Sequence, residues 1–337
     1  MKSRREFLKE AAAGAMLLGS PGAREKLAFA GGPEQHTPAK SKVVIARDAS
    51  LHGAGTQPDE QRVLNLLDKA MTAYTGREKQ VEAWKSVIPA SVLAGKTIGL
   101  KINGLGGRGI STHTALTLAV AERLQQAGMR AANIVVWERD ARSLNACGMA
   151  ANAGSNGPRC YGNDVSGYED EQVQCGATRI RLAKILTREC AMVINLPVLK
   201  DHSLSGITFS MKNMYGAVDR AYLLHENNCN PGIADLNAIP AVRDKVRFTI
   251  GDAISSLYEG GPDFRPERLW YPNALVIGED CVAVDYTAWQ MIERKRAEAG
   301  VPSLEAAGRR PDYIATAADA AHRLGTCDPA RIRLVEV

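Results

Sequence analysis

The residues able to move protons or hold an anion fall at the ends of apolar runs. Asn103, a glycine-rich turn and Ser111-Thr112-His113 follow the run Thr97–Ile102, which itself carries Lys101. Glu138 follows Asn133–Trp137, Lys200 and His202 follow Met192–Leu196, and Asp252 follows Val246–Ile250. If those runs are parallel strands, their carboxyl ends share the edge where open α/β sheets bind ligands. Lys101, Lys200 and Lys212 would then neutralise a small anion, while His113 or His202 transfers protons. Glu138, Asp252 and Asp285 would orient those groups or hold a cation. Asp285, near the start of a helix, equally suits that helix's dipole without a catalytic role.

Gly104-Leu105-Gly106-Gly107-Arg108-Gly109 has the spacing of a turn whose backbone approaches phosphate closely. Asn103, Gly106, Gly107, Thr112 and Asn213 are the anion-binding candidates. A dinucleotide reading is weakened because the helix pattern starts only after Ser111-Thr112, so a mobile glycine loop or a generic anion nest is favoured. Ser111 or Thr112 as N-cap would leave helix N–H groups to an anion, or satisfy them itself. Further along, Met211-Lys212-Asn213-Met214-Tyr215-Gly216 supplies a lysine and an amide. His202, His225 and Asp235 could form a three-ligand metal site, although their spacing matches no specific metal signature.

The elements that must position these groups alternate along the chain. Strands are predicted at Val43–Ala46, Thr97–Ile102, Asn133–Trp137, Met192–Leu196, Val246–Ile250, Ala274–Ile277 and Ile332–Val335, and helices at Gln61–Tyr74, Thr114–Ala127, Ala234–Val242, Val282–Glu298 and Tyr313–Leu324. Such alternation predicts an α/β fold: a doubly wound, mostly parallel sheet in a single domain over residues 43–337, with room for a smaller second lobe. The Gly-, Asn- and Cys-rich stretch 145–176 interrupts the rhythm as an inserted loop excursion with space for its own hairpin.

The N-terminus supplies the address. Arg4-Arg5 precedes Phe7-Leu8-Lys9, a short apolar run and Ala28-Phe29-Ala30. This arrangement resembles a twin-arginine translocation signal, which implies the translocase as a partner, cleavage after Ala30 and a periplasmic or secreted product. Residues 31–42 read as a linker. The formal charge is +5, and residues 1–30 contribute six Lys/Arg against three Asp/Glu. The remainder is near balance, which argues against a nucleic-acid partner. No later run approaches the roughly 18 apolar residues of a membrane span, so the cleaved protein is not expected to be integral to a membrane. Seven cysteines include no Cys-x-x-Cys pair, so no iron–sulfur cluster motif or zinc ribbon is encoded. Cys147, Cys160 and Cys175 are candidates for disulfides in an oxidising compartment.

Lys101-x-Asn103, Thr112-His113 and Leu196-Pro197-x-Leu199-Lys200-x-His202 together resemble the family called domain of unknown function 362. The resemblance continues through Thr208, Met211-Lys212-Asn213, Gly216, His225, Ala234-Asp235-Leu236, Gly251-Asp252, Gly260-Gly261-Pro262 and Val282-Ala283-Val284-Asp285. Many members carry a ferredoxin-like segment whose cysteines this chain lacks. The helix-opening Thr112-His113 and the strand-loop lysines are also similar in layout to the nickel-pincer lactate racemase group. Three functional expectations follow. The first is an exported enzyme acting on a small carboxylate or phosphate by Lys/His acid–base chemistry, with or without a metal. The second is a non-catalytic periplasmic accessory protein that binds a cofactor or metal. The third is a pincer-cofactor, racemase-like isomerase.

Overall fold

Strands β2 (Ile98–Ile102), β3 (Ile134–Glu138) and β7 (Met192–Leu196) are buried along their whole length, as parallel strands covered on both faces must be. In this computed structural model, which describes residues 40–52, 57–154 and 156–337, their side chains alternate between two cores. Val135 and Trp137 enter one core, Ile134 and Val136 the other. The remaining strands are β1 (Ser41–Arg47), β4 (Arg159–Gly162), β5 (Val173–Cys175), β6 (Thr178–Ile180), β8 (Val198–His202), β9 (Gly206–Thr208), β10 (Val246–Leu257), β11 (Leu269–Trp270), β12 (Ala274–Gly278) and β13 (Ile332–Glu336).

The main sheet runs β13-β1-β12-β10-β7-β2-β3-β4, with β8, β9 and β11 joined to it off this path. β10, β7, β2, β3 and β4 are parallel neighbours, and β12 is antiparallel to both β10 and β1. The fold is therefore the expected α/β sheet, largely parallel. Residues 39–337 cluster as one unit, so the described residues contain no second lobe. The stretch 145–176 holds β4, an edge strand of the main sheet, and begins the β5–β6 hairpin.

The principal helices are α1 (Glu60–Thr75), α2 (Gln80–Val87), α3 (Thr114–Gln126), α4 (Ala141–Cys147), α5 (Gly232–Ala238), α6 (Cys281–Glu298) and α7 (Tyr313–Ala318). Asp59 caps α1 through the Arg62 N–H at 2.8 Å, and Asp280 caps α6 through Val282 and Ala283. Two predicted helices are shortened for local reasons. Ile239 takes an extended conformation before Pro240 and ends α5. Asp319 leaves helical geometry and accepts the N–H groups of Ala321 and His322, which ends α7.

The signal sequence, its cleavage point and the linker up to residue 39 lie outside the described residues. The linker's last two residues, Ser41 and Lys42, already belong to β1. All seven cysteines are free thiols, so the bridges considered among Cys147, Cys160 and Cys175 are not made. Among the described residues no helix is long and apolar enough to cross a membrane.

Candidate functional site

Parallel register builds the site's floor. Lys101 on β2 and Thr249 on β10 both pair with Asn195 on β7, which aligns three polar side chains in an otherwise apolar sheet. From there an oriented relay of amides runs outward. Lys200 Nζ donates to Asn103 Oδ1 at 3.2 Å, Asn103 Nδ2 to Asn213 Oδ1 at 3.0 Å, and Asn213 Nδ2 to Asn195 Oδ1 at 2.7 Å. Asn195 Nδ2 then donates to Ser210 O at 2.8 Å. Each amide is fixed by its neighbour, so the loop after β9 is locked onto the sheet.

That loop delivers Lys212. The backbone N–H groups of Ser210 and Met211 donate to the two oxygens of Asp285 at 2.6 and 3.1 Å, and the Tyr313 hydroxyl donates to Asp285 at 3.2 Å. Burial pushes the Asp285 carboxyl up to about 7, against the pull of those backbone N–H groups. Asp285 thus holds the turn before Lys212 and does not reach the hollow beyond it.

Asn103, Glu138, His202, Lys212, Asn213, Tyr215 and His225 surround a hollow of about 110 Å³. Lys212 Nζ stands 3.3 Å from His225 Nε2, 3.7 Å from Cys229 Sγ and 3.9 Å from the centre of the Tyr215 ring. Burial lowers this lysine to about 8. The N–H on His225 Nδ1 donates to Ala221 O at 2.9 Å, which leaves a lone pair on Nε2 facing Lys212. Burial, then the nearby lysine, lowers the His225 imidazole.

His202 takes the opposite tautomer. Its Nδ1 accepts the N–H groups of Leu204 and Ser205 at 3.1 and 3.3 Å, so its proton sits on Nε2. Burial, reinforced by Lys212 and His225, drives its pKa down to about 2. His202 is therefore a fixed neutral donor. Its Nδ1 lone pair is engaged by the turn, so Nε2–H is the group it has left for a ligand.

Other expected site residues support the hollow from behind. Lys101 is fully buried; its Nζ donates to Ile102 O at 2.5 Å and pairs with Glu138 Oε1 at 3.4 Å. Burial lowers its pKa and Glu138 opposes that shift. Gly216 lets this ammonium fit, because a Cβ there would lie 2.7 Å from Lys101 Nζ. Lys200, lowered to about 7 by burial, donates to the carbonyls of Leu105 and Ile110. Gly106 (φ +110°) and Gly107 (φ +71°) bend the loop so that the Leu105 carbonyl meets Lys200; neither glycine lines the hollow, so they form no anion cradle there. Thr112 Oγ1 donates to Leu196 O at 2.6 Å and accepts Asn103 N–H at 2.9 Å, which ties β2 to β7.

Two expected groupings do not assemble. His113 lies outside the lysine hollow: its Nδ1 contacts the Asp252 oxygens at 2.9 and 3.1 Å, its N–H donates to Asp252 at 2.7 Å, and its Nε2 is 3.3 Å from Ser255 Oγ. Burial disfavours its charge, but Asp252 outweighs burial and raises the pKa. Asp235 binds His322 Nε2 at 3.0 Å and borders a different hollow from that of His202 and His225. Among the described residues no three metal-binding side chains converge. A cation beside His225 Nε2 would meet the Lys212 ammonium at 3.3 Å, and the nearby Glu138 already serves Lys101 and Gly104 N–H. That donor set does not suit a metal ion. Tyr215, Asn195 and the pairing of Lys212 with His225 were missed by sequence reasoning. A polar residue interrupting the apolar run Met192–Leu196 was the available signal for Asn195.

No curated protein matches the chain in sequence. Solved structures similar to it include the following two. A protein from Thermotoga maritima is 11% identical with a TM-score of 0.45, covering 71% of this chain and 60% of its own. The lactate racemase apoprotein from Thermoanaerobacterium thermosaccharolyticum is 9% identical with a TM-score of 0.43, covering 76% and 57%. The chain thus spans less than two thirds of either structure's length. A family model described as a domain of unknown function (DUF362) matches residues 98–290, more than half of the chain. Because that match contains every residue lining the lysine hollow, and Asp285 behind it, the hollow lies in the family's own region, and this chain belongs to the DUF362 family.

Proposed function

We propose that the lysine hollow binds a small carboxylate or phosphate ester and that Lys212 and His225 move a proton on it. The observation carrying this reading is a buried cation without a counter-charge. Lys212 is 5% exposed, and its contacts are an imidazole, a thiol and an aromatic ring. Among the described residues it has no carboxylate partner. A buried charge is costly unless paired, and a bound anion would supply the pair. His202 Nε2–H adds a neutral donor. At about 110 Å³ the hollow suits a small ligand.

Lys212, lowered to about 8, keeps its proton against the neutral His225 Nε2 3.3 Å away and is poised to pass it to a bound ligand near neutral pH. The exported setting, with the twin-arginine translocase as partner, belongs to the same proposal. It is supported by Arg4-Arg5 and Ala28-Phe29-Ala30, and is tested by fractionating cells that express an Arg4→Lys/Arg5→Lys variant.

The enzymatic half is tested by incubating small carboxylates and phosphate esters with the protein in D2O and following C–H loss by NMR. Exchange that disappears in Lys212→Met and His225→Ala is expected. Inversion at the exchanging carbon would extend the reading to an isomerase. A ligand that binds stoichiometrically with no exchange or turnover would leave a binding protein in place of an enzyme.

A further inference from the structure

The turn that carries His202 is held from outside the lysine hollow, by residues that do not line it. Asp201, the residue before His202, is fully buried and accepts the Gly261 N–H at 3.0 Å. Its carboxylate pairs with Arg309, whose Nη2 reaches the two oxygens of Glu259 at 2.8 and 2.9 Å. Arg296, 3.7 Å from Asp201, also pairs with Glu259 and donates to Tyr258 O at 2.8 Å. Two arginines thus face two carboxylates, and the set is balanced without a ligand. One contact goes beyond that balance. Arg309 Nη1 donates to the carbonyl of His202 itself at 3.3 Å, and the adjoining Ser203 N–H donates to Gly261 O at 3.1 Å. In an ordinary four-residue turn the Ser205 N–H would donate to the His202 carbonyl. Here it donates to His202 Nδ1 at 3.3 Å, beside the Leu204 N–H at 3.1 Å. Gly206 (φ +77°) lets the segment after α6 come this close, because a Cβ there would run into the Arg309 carbonyl.

We infer that Arg309 is a positioning residue for His202: by holding the His202 carbonyl it directs the N–H groups of the turn to Nδ1 and so keeps the proton on Nε2. The functional part of this inference rests on the reading of the hollow as an anion site, in which His202 Nε2–H is the neutral donor. The His202 ring lies nearly parallel to that of His225, 6.0 Å between centres and 24° between planes, so the turn also sets how the two imidazoles share the hollow. A lysine at position 309 would keep a charge opposite Asp201 and Glu259. It has no planar fork with which to reach the His202 carbonyl at the same time.

The test is assignment of histidine tautomers by long-range proton–nitrogen NMR on the ligand-free protein at pH 7, in the wild type, Arg309→Lys and Arg309→Met. The wild type should show His202 with its proton on Nε2 and His225 with its proton on Nδ1. In Arg309→Lys the His202 signal should move to the Nδ1–H form or divide between the two, while His225 keeps its pattern. Arg309→Met should show the same change with a lower melting temperature, because Asp201 and Glu259 lose a partner. Acetate or inorganic phosphate, whichever binds the lysine hollow, should bind Arg309→Lys about tenfold more weakly than the wild type. An unchanged His202 tautomer in both variants would overturn the assignment. So would a change in His225 as large as that in His202, which general loosening of the fold would give, or an anion held equally by the wild type and Arg309→Lys. Because the spectra are taken without ligand, failure of every anion to bind the wild type would remove the reading of the hollow, while the tautomer would still decide whether Arg309 positions His202.

Discussion

On one side of the β2–α3 connection, Lys212 is buried against His225, Cys229 and Tyr215 with no carboxylate partner among the described residues. On the other side, His113 sits 2.9 Å from Asp252, which also accepts its backbone N–H. Both are buried cationic groups that the sequence offers as catalytic. Their surroundings shift them in opposite directions, Lys212 towards its neutral form and His113 towards its charged one. A cation matched by a fixed carboxylate adds to the fold's own ion pairing, whereas an unmatched one is left for a ligand to satisfy. The same rule separates Lys101, held by Glu138, from Lys212, although both lysines lie close to the hollow.

The largest expected effect breaks the unmatched side. Lys212→Met should lower proton exchange on any substrate by about a thousandfold. Its melting temperature should equal or exceed that of the wild type, because a buried uncompensated charge is removed. A large drop in melting temperature would mean that Lys212 is structural. Next, Asp252→Asn should cost roughly 3 kcal/mol by denaturant unfolding, because it strands His113 and replaces with an NH2 group one of the two oxygens that accept the His113 and Ile254 N–H groups. A cost below about 1 kcal/mol would erase the contrast between the two sides.

The pH dependence sharpens the comparison further. His113 is raised by Asp252, so its contribution is fully present below about pH 6.5 and is lost as pH climbs through the raised value. Lys212 is lowered to about 8 against about 10.4 when unfolded. The unfolded chain therefore binds more protons between those values, and stability rises with pH there. Unfolding free energies from pH 5 to 10 should lose the first slope in Asp252→Asn and show a shallower second slope in Lys212→Met. The smallest effect concerns the connection between the two sides. Thr112→Val removes the link between Leu196 O and Asn103 N–H and should cost about 1 kcal/mol, with a shifted Asn103 amide resonance as its local sign.

Much of the fold was legible because parallel strands covered on both faces are written as apolar runs. The predicted strand Met192–Leu196 has the observed limits of β7, Thr97–Ile102 begins one residue before β2, and Asn133–Trp137 is displaced by one residue from β3. β4 was hidden because Arg159–Gly162 is a four-residue strand within a Gly- and Asn-rich stretch. The ends of α5 and α7 depend on Pro240 and Asp319, residues whose effects a periodic pattern does not weigh. At the site, the residue types were readable and their placement was not. Sequence order puts His113 and Lys200 among the same strand ends, yet Thr112 and the amide relay separate them from the hollow. The tautomer of His202 depends on the Leu204 and Ser205 N–H groups two and three residues onward, which only the folded turn directs back at its ring.

The central claim is that Lys212's uncompensated charge is answered by a small anion. Calorimetric titration of small carboxylates and inorganic phosphate into the wild type and Lys212→Met, at pH 7 and pH 9, tests it most directly. The account predicts at least one anion that binds the wild type at pH 7, binds more weakly at pH 9 as Lys212 loses its proton, and fails to bind Lys212→Met. Affinities that are the same in both proteins and at both pH values would contradict it.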